Sequence, residues 1–373
     1  MTDKAENLLL PESYSGREQT YVKHLFLENY IERVAYNILS FKNEFVFVDG
    51  FSGPWQSNDE TLQDTSFGRA TSKLQKIHFD FLKRNSKKIR CLFIEKTECR
   101  FSNLERAVSG VKHIQANAMQ GEFEKKIPEI INFIGNSFSL VFIDPKGWIG
   151  FGLKNIEPIL MLKGEVIINF MFDHINRFMN HPSPETAETY NQLFGGEGWF
   201  EEFEDLISEG INREEAVLSV YMRRLKKTGN YKYVTSTRVK NPSKDRTYFH
   251  LIYATRNSKG IIEFRAVEKK TSYIQEQVRD TKKQTTNIEK RRQQYGMEDL
   301  LGVTEQDGNT TSYINERSHR ISQAKIILLN TLNANKTIKA EELQGIVLQT
   351  PLVQSTNINT WVVMPPKKSG LQR

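Results

Sequence analysis

Residues 45–54 read Phe-Val-Phe-Val-Asp-Gly-Phe-Ser-Gly-Pro, and this stretch decides the fold. Four β-prone apolar residues in a row, closed by an acid and two glycines, describe a short strand buried on both faces and ending in a turn. The pattern returns along the chain. Arg90-Cys91-Leu92-Phe93-Ile94 ends at Glu95, Phe138 to Ile143 ends at Asp144-Pro145, and Glu165 to Phe170 is another apolar run. Val111 to Gln115 gives a shorter, weaker strand. Between these runs, residues 70–84, 97–108, 123–134 and 155–162 carry helical spacing. Ahead of the first strand, residues 21–40 place Leu25, Ile31, Val34 and Ile38 on one face of a helix.

Strands that alternate with helices form a parallel sheet covered on both faces. Five such units predict a doubly wound, Rossmann-like α/β domain. Further on, residues 232–239 and 247–255 read as strands joined by the turn-rich Asn241-Pro242-Ser243-Lys244, which pairs them as a hairpin. Parallel units finished by a hairpin match a class I S-adenosylmethionine methyltransferase better than a dinucleotide dehydrogenase. Residues 173–229 are too long for a connector and are expected to form helices over the active face. This domain spans 1–300. After it, the polar stretch 302–315 reads as a linker. Residues 320–333 and 339–348 read as two helices and Trp361 to Met364 as a strand, so 301–373 forms a small, mostly helical, winged-helix-like module.

Composition narrows the classes. With 373 residues, 38% of them hydrophobic, the chain can build two or three domains with a sizeable core. Its 22 glycines, 11 prolines and 2 cysteines exclude collagen-like, low-complexity and disulfide-framework proteins. No apolar run reaches the ~20 residues of a bilayer span. The first residues also lack the basic-then-apolar layout of a signal peptide, so the cytoplasm is the expected compartment. Cys91 and Cys99 read as reduced thiols. His24, His78, His113, His174 and His250 have no metal-ligand spacing, and no metal is expected.

The net charge of +7 is unevenly spread: residues 221–295 hold 20 lysines and arginines against 6 acids. Arg223, Arg224, Lys226 and Lys227 form one cluster, and Lys290, Arg291 and Arg292 another. Such a field attracts nucleic acid by counterion release, or else simply solvates a face. Tyr221, Tyr231, Tyr233, Tyr248 and Tyr253 lie among these charges and are candidates for stacking on bases.

In doubly wound sheets a ligand sits outside the carboxyl ends of the strands. Asp49 can hold an ammonium group there, and Gly50 and Gly53 let the backbone approach a ligand. Two glycines do not make a dinucleotide fingerprint, and a tight turn accounts for them equally well. Glu95 ends the second strand, where a carboxylate can accept both ribose hydroxyls. It follows Asp49 by 46 residues, which requires an inserted helix. Asn117 follows the third strand and could meet an adenine edge. Asp144-Pro145-Lys146-Gly147-Trp148 resembles the strand-terminal (Asp/Asn)-Pro-Pro-aromatic motif of enzymes that methylate exocyclic amines. There a carboxylate or amide and a carbonyl accept the amine hydrogens while the ring stacks on the base. Here Lys146-Gly147 replaces the second proline and Trp148 comes one position late. An Asp-Pro turn with a packed tryptophan is the structural alternative.

Several of these blocks together resemble the three-Cys-motif partner proteins (TcmP). They are Lys23-His24, Val48 to Pro54, Gly68-Arg69-Ala70, Phe142 to Trp148, and Phe249 to Arg256 followed by Lys259-Gly260. The likeness spans residues 18–300, and residues 350–359 are similar to the family's C-terminal helical end. The resemblance implies a methyltransferase-like fold in bacteria or their mobile elements, and a partner protein carrying a three-cysteine motif. The chain departs from the family pattern at Trp55, where a further glycine is usual. Trp55 is therefore expected to narrow the space over the cofactor's methionine moiety. The resulting expectation is a methyltransferase acting on nucleic acid or a nucleic-acid-associated substrate. In it Asp49, Gly50, Gly53, Glu95 and Asn117 bind S-adenosylmethionine, and Asp144, Pro145 and Trp148 orient the acceptor. The alternative is a non-catalytic scaffold or nucleic-acid-binding protein with the same fold.

Overall fold

Along β1 (Glu44–Asp49), Phe45 and Phe47 join the apolar core on one side of a sheet while Val46 and Val48 join the core on the other. All four are fully buried, as a strand with no polar alternation requires. The computed structural model describes residues 10–53, 57, 59, 62–82, 87–178, 184–295 and 308–362. The other strands are β2 (Lys88–Glu95), β3 (Gln115–Gln120), β4 (Phe138–Ile143), β5 (Gly164–Phe170), β6 (Tyr233–Lys240) and β7 (Thr247–Thr255). They form one seven-stranded sheet in the order β3-β2-β1-β4-β5-β7-β6. The first five run parallel, and β7 lies antiparallel to both β5 and β6. Five parallel strands finished by an antiparallel hairpin make the doubly wound sheet that the sequence leads one to expect.

Helices cover both faces. On one side lie α1 (Glu18–Phe41), α2 (Ser66–Leu82), α3 (Glu98–Ser109) and the long α10 (Ser258–Tyr295). On the other lie α4 (Ile127–Ile134), α5 (Leu153–Leu160), α7 (Pro184–Phe194), α8 (Trp199–Ser208) and α9 (Arg213–Thr228). The segment expected to roof the active face therefore does something else. Its helices α7 to α9 bury Tyr190, Trp199, Phe203 and Val217 against the flank of the sheet. The short α6 (Phe172–Phe178) alone follows a strand end directly.

The third strand begins later than its sequence suggests. His113 adopts a left-handed φ of 69°, which turns the chain before the strand can start. Asn117 consequently lies inside β3, paired with Leu92, and not beyond it.

The C-terminal region holds three helices joined by short turns: α11 (Gly308–Ala334), α12 (Ala340–Val347) and α13 (Ser355–Trp361). The expected linker overlaps the start of α11, and Trp361 closes a helix where a strand was expected. Met364 lies outside the described residues. Among the described residues no strand follows β7. Ala324, Leu328, Leu343 and Val347 join the same apolar core as Phe26 and Phe264 of α1 and α10. Among the described residues no helix is long and apolar enough to cross a membrane.

Candidate functional site

Strand order reverses between β1 and β4, so their carboxyl ends open a crevice. The chain leaving β1 crosses that opening. Gly50 N–H donates to the Phe142 carbonyl of β4 (2.9 Å), and Ser52 N–H donates to the Ile94 carbonyl of β2 (2.8 Å). This crossing delivers Gly53 onto Glu95. A Cβ at position 53 would fall 1.8 Å from Glu95 Oε2, so any side chain there would have to push the carboxylate aside. Glu95 Oε1 accepts the Thr97 N–H (2.7 Å), which fixes the carboxylate at the head of α3. Gly50 is held by packing: a Cβ there would sit 2.7 Å from the Phe123 ring.

Asp49 lies fully buried beneath this loop. Its Oδ1 accepts the Phe51 N–H (3.1 Å) and its Oδ2 the Ser66 hydroxyl (2.8 Å). Both oxygens thus hold the β1 loop to the first residue of α2. Burial pushes its pKa up to about 6, against the pull of those two hydrogen bonds.

Beyond the loop lies a cleft of about 450 Å³, within the ~300–1,000 Å³ of small-molecule sites. Its floor is a polar trio from three elements. Lys23 of α1 pairs with Asp144 Oδ2 at 2.5 Å, and Asn169 of β5 donates Nδ2–H to Asp144 Oδ1, also at 2.5 Å. Arg17 lines the entrance and pairs with the buried Asp64 (2.6 Å). Thr65 and Ser66, at the head of α2, line one wall, and Tyr248 and Phe249 of β7 another. His24 also borders the cleft. Its burial, with the charges of Lys23, Arg69 and Arg17, holds its pKa well below the ordinary histidine value, so the ring is neutral.

The sequence-derived residues divide accordingly. Gly53, Asp144 and Pro145 line the cleft, Glu95 adjoins Gly53, and Asp49 and Gly50 brace the loop from behind. Asn117 is exposed on the edge strand β3, away from the strand ends. Trp148 packs against Tyr190 (ring centroids 5.9 Å apart) and His174 and does not line the cleft. Trp55 lies outside the described residues.

Arg223, Lys226 and Lys227 are exposed at the end of α9, which leads into the start of β6. Because β6 runs antiparallel to β7, and β7 to β5, that end lies at the rim opposite the cleft. Arg224 is taken up by Glu202 (2.8 Å) and by the carbonyls of Phe194 and Gly196. The side chains of Lys290, Arg291 and Arg292 lie outside the described residues. Of the five candidate stacking tyrosines, four are buried in the core: Tyr221, Tyr231, Tyr233 and Tyr253. Only Tyr248 reaches the cleft. Burial of tyrosine rings among strands is the ordinary outcome, and it removes those four from any surface contact.

Asn169, Ser66 and Arg17 were not singled out from the sequence. Asn169 had a signal: it is the one polar residue in the run Val166 to Phe170, placed near the strand's end.

No protein-family model and no curated protein matches the chain. Solved structures do. Loganic acid methyltransferase with SAH aligns over 75% of this chain and 90% of its own, at 12% identity and a TM-score of 0.33. An O-methyltransferase of tomaymycin synthesis from Streptomyces achromogenes, in complex with SAM, aligns over 66% of this chain and 90% of its own. Its identity is 12% and its TM-score 0.34. The fold assignment stands on the strand order itself.

Proposed function

We propose that the chain is an S-adenosylmethionine-dependent methyltransferase acting on a nucleic-acid or nucleic-acid-associated substrate. The observation that carries this reading is the loop after β1, laid across the strand ends so that Gly53 rests on Glu95 within a 3-2-1-4-5-7-6 sheet. Those residues fit the cofactor: a strand-terminal carboxylate suits ribose hydroxyls, and a glycine clears the space beside it. Glu95 and the Gly53 backbone would hold the ribose. Thr65, Ser66 and Arg17 would hold the methionine end. Asp49 and Gly50 keep the loop in place.

When bound, the cofactor supplies an electrophilic methyl group on a sulfonium. The chain's own part is positional. Asp144 and Pro145 orient the acceptor, and the cleft fixes the approach, a contribution that can be worth several kcal/mol of barrier. The nucleic-acid substrate rests on the Asp144-Pro145 strand end and on the aromatic wall formed by Tyr248 and Phe249. A three-Cys-motif protein as cytoplasmic partner rests on the sequence resemblance alone.

A non-catalytic scaffold is the second reading. It is favoured by the Lys23 and Asn169 bonds that already occupy both Asp144 oxygens, and by the packing of Trp148 away from the cleft. Isothermal titration separates the two. The enzyme reading expects binding of S-adenosylmethionine and its demethylated product, weakened at least ~10-fold by Glu95→Ala or Gly53→Ala. No binding by the intact protein leaves the scaffold.

A further inference from the structure

At the floor of the cleft one polar atom has no partner. Asn169 is 2% exposed. Its Nδ2 is committed to Asp144 Oδ1, yet its Oδ1 is buried and accepts no hydrogen bond. A buried amide carbonyl without a donor is costly, and a ligand's N–H would satisfy it. The amide cannot simply turn over to hide the problem. Turning it would aim the carbonyl at the carboxylate of Asp144, which Lys23 keeps paired from the other side at 2.5 Å. The ion pair between α1 and the residue just after β4 therefore sets the polarity that β5 presents to the cleft. A free asparagine reads a donor and an acceptor together; this one has only its acceptor left.

The aromatic wall adds a shape. Tyr248 lines the cleft with Phe249 beside it, their rings 5.8 Å apart, and Lys23 Nζ lies 5.8 Å from the Phe249 centroid. A flat, weakly polar ring suits a surface of that kind.

We propose that this floor recognises the exocyclic amino group of a nucleobase, with Asn169 Oδ1 accepting one amino hydrogen. Lys23 acts through Asp144 as the positioning residue that fixes the amide. The proposal rests on the methyltransferase reading for its biological sense, but the contact itself does not require a methyl donor. A base with a carbonyl or bare ring carbon at that position leaves Asn169 Oδ1 unpaired and is discriminated against.

The test uses the full chain and two matched pairs of nucleosides: adenosine against purine riboside, and cytidine against zebularine, whose base lacks the amino group. Affinities are measured by ligand-observed NMR titration, with and without saturating S-adenosylhomocysteine. The amino-bearing member of at least one pair is expected to bind about 5–10-fold tighter, the worth of one buried hydrogen bond. Asn169→Leu removes that preference, Lys23→Met diminishes it, and Lys23→Arg restores it. Equal affinity within both pairs in the wild type overturns the proposal, as does a preference that survives Asn169→Leu. If Asn169→Leu does not fold, as read by its melting curve, Asn169→Ser takes its place with the same expectation. Failure of S-adenosylhomocysteine to bind sinks the methyltransferase reading instead, and the amino preference is then read without it.

Discussion

At the scale of the residue, the site is organised by side chains whose polar atoms are nearly all spoken for. Asp49 shows what this costs. It was expected to face a ligand ammonium, yet both its oxygens serve its own loop, and it is fully buried. Burial raises its pKa from 3.8 to about 6. A carboxyl raised in the folded state holds its proton more tightly there than in the unfolded chain. Its contribution to stability is complete below pH 3.8 and is lost as the pH rises through about 6. Two units correspond to roughly 2–3 kcal/mol. Urea unfolding at pH 4.5 and 7.5 is expected to show Asp49→Asn losing less stability over this interval than the wild type, by an amount of that order. Identical pH dependences would remove the argument. The acids and glycines at the strand ends were legible because each interrupts an apolar run. Lys23 and Asn169 acquire their meaning only when Asp144 meets them, across separations of 121 and 25 residues. No local pattern encodes that meeting.

At the scale of the element, apolar runs give strands directly, because a doubly buried strand has no choice of residue type. The C-terminal helices were harder to read. Gly308-Asn309-Thr310-Thr311 looks like a turn, but α11 is carried by its packing on α10, which outweighs weak local propensity. Helix α13 is opened by Asn357, whose Oδ1 accepts the Gln354 N–H (3.0 Å), a cap easily passed over in the sequence.

Besides its apolar packing, this end is tied to the sheet by a fully buried cation. Arg265 of α10 is fully buried and pairs with Glu268 at 2.7 Å. It donates to the carbonyls of Ser236 in β6 and of Leu348 and Gln349 after α12. Glu268 Oε2 in turn accepts the N–H of Leu352, whose left-handed φ of 62° is costly for leucine. Arg265→Met strands a buried carboxylate and three carbonyls, and is expected to destabilise the protein by about 3–5 kcal/mol. The double variant with Glu268→Met should recover part of that loss, because the uncompensated charge is gone. Denaturant unfolding of the full chain measures both. A double variant no more stable than the single one would place the cost elsewhere.

At the scale of the whole molecule, the sheet has two rims with different characters. The cleft rim carries two cations paired with acids, Lys23 with Asp144 and Arg17 with Asp64, and the exposed Lys146 beside them. The opposite rim carries Lys226 and Lys227 in the open, with Arg223 exposed but 4.0 Å from Glu202. The sequence revealed the surplus of charge between residues 221 and 295 but could not say where it would go. Much of it turned inward: Arg238 and Lys240 meet Glu316, Arg279 meets Glu276, and Arg256 holds the carbonyls of Leu160 and Leu162. A count of charges along the chain cannot separate a cation that builds the fold from one that greets a polyanion. The eight residues of β6 span about 25 Å between the rims, so a single nucleoside in the cleft cannot touch the exposed cluster, while a long strand can. Charge reversal at Arg223, Lys226 and Lys227 should leave the affinities for S-adenosylhomocysteine and for single nucleosides unchanged. For a 30-nucleotide single strand, the salt dependence of binding should become shallower by about 2, since ~0.7 counterions are released per phosphate neutralised. Fluorescence anisotropy across a salt series reads that slope. An unaltered slope would leave the cluster as a solvated face and confine any nucleic-acid contact to the cleft side.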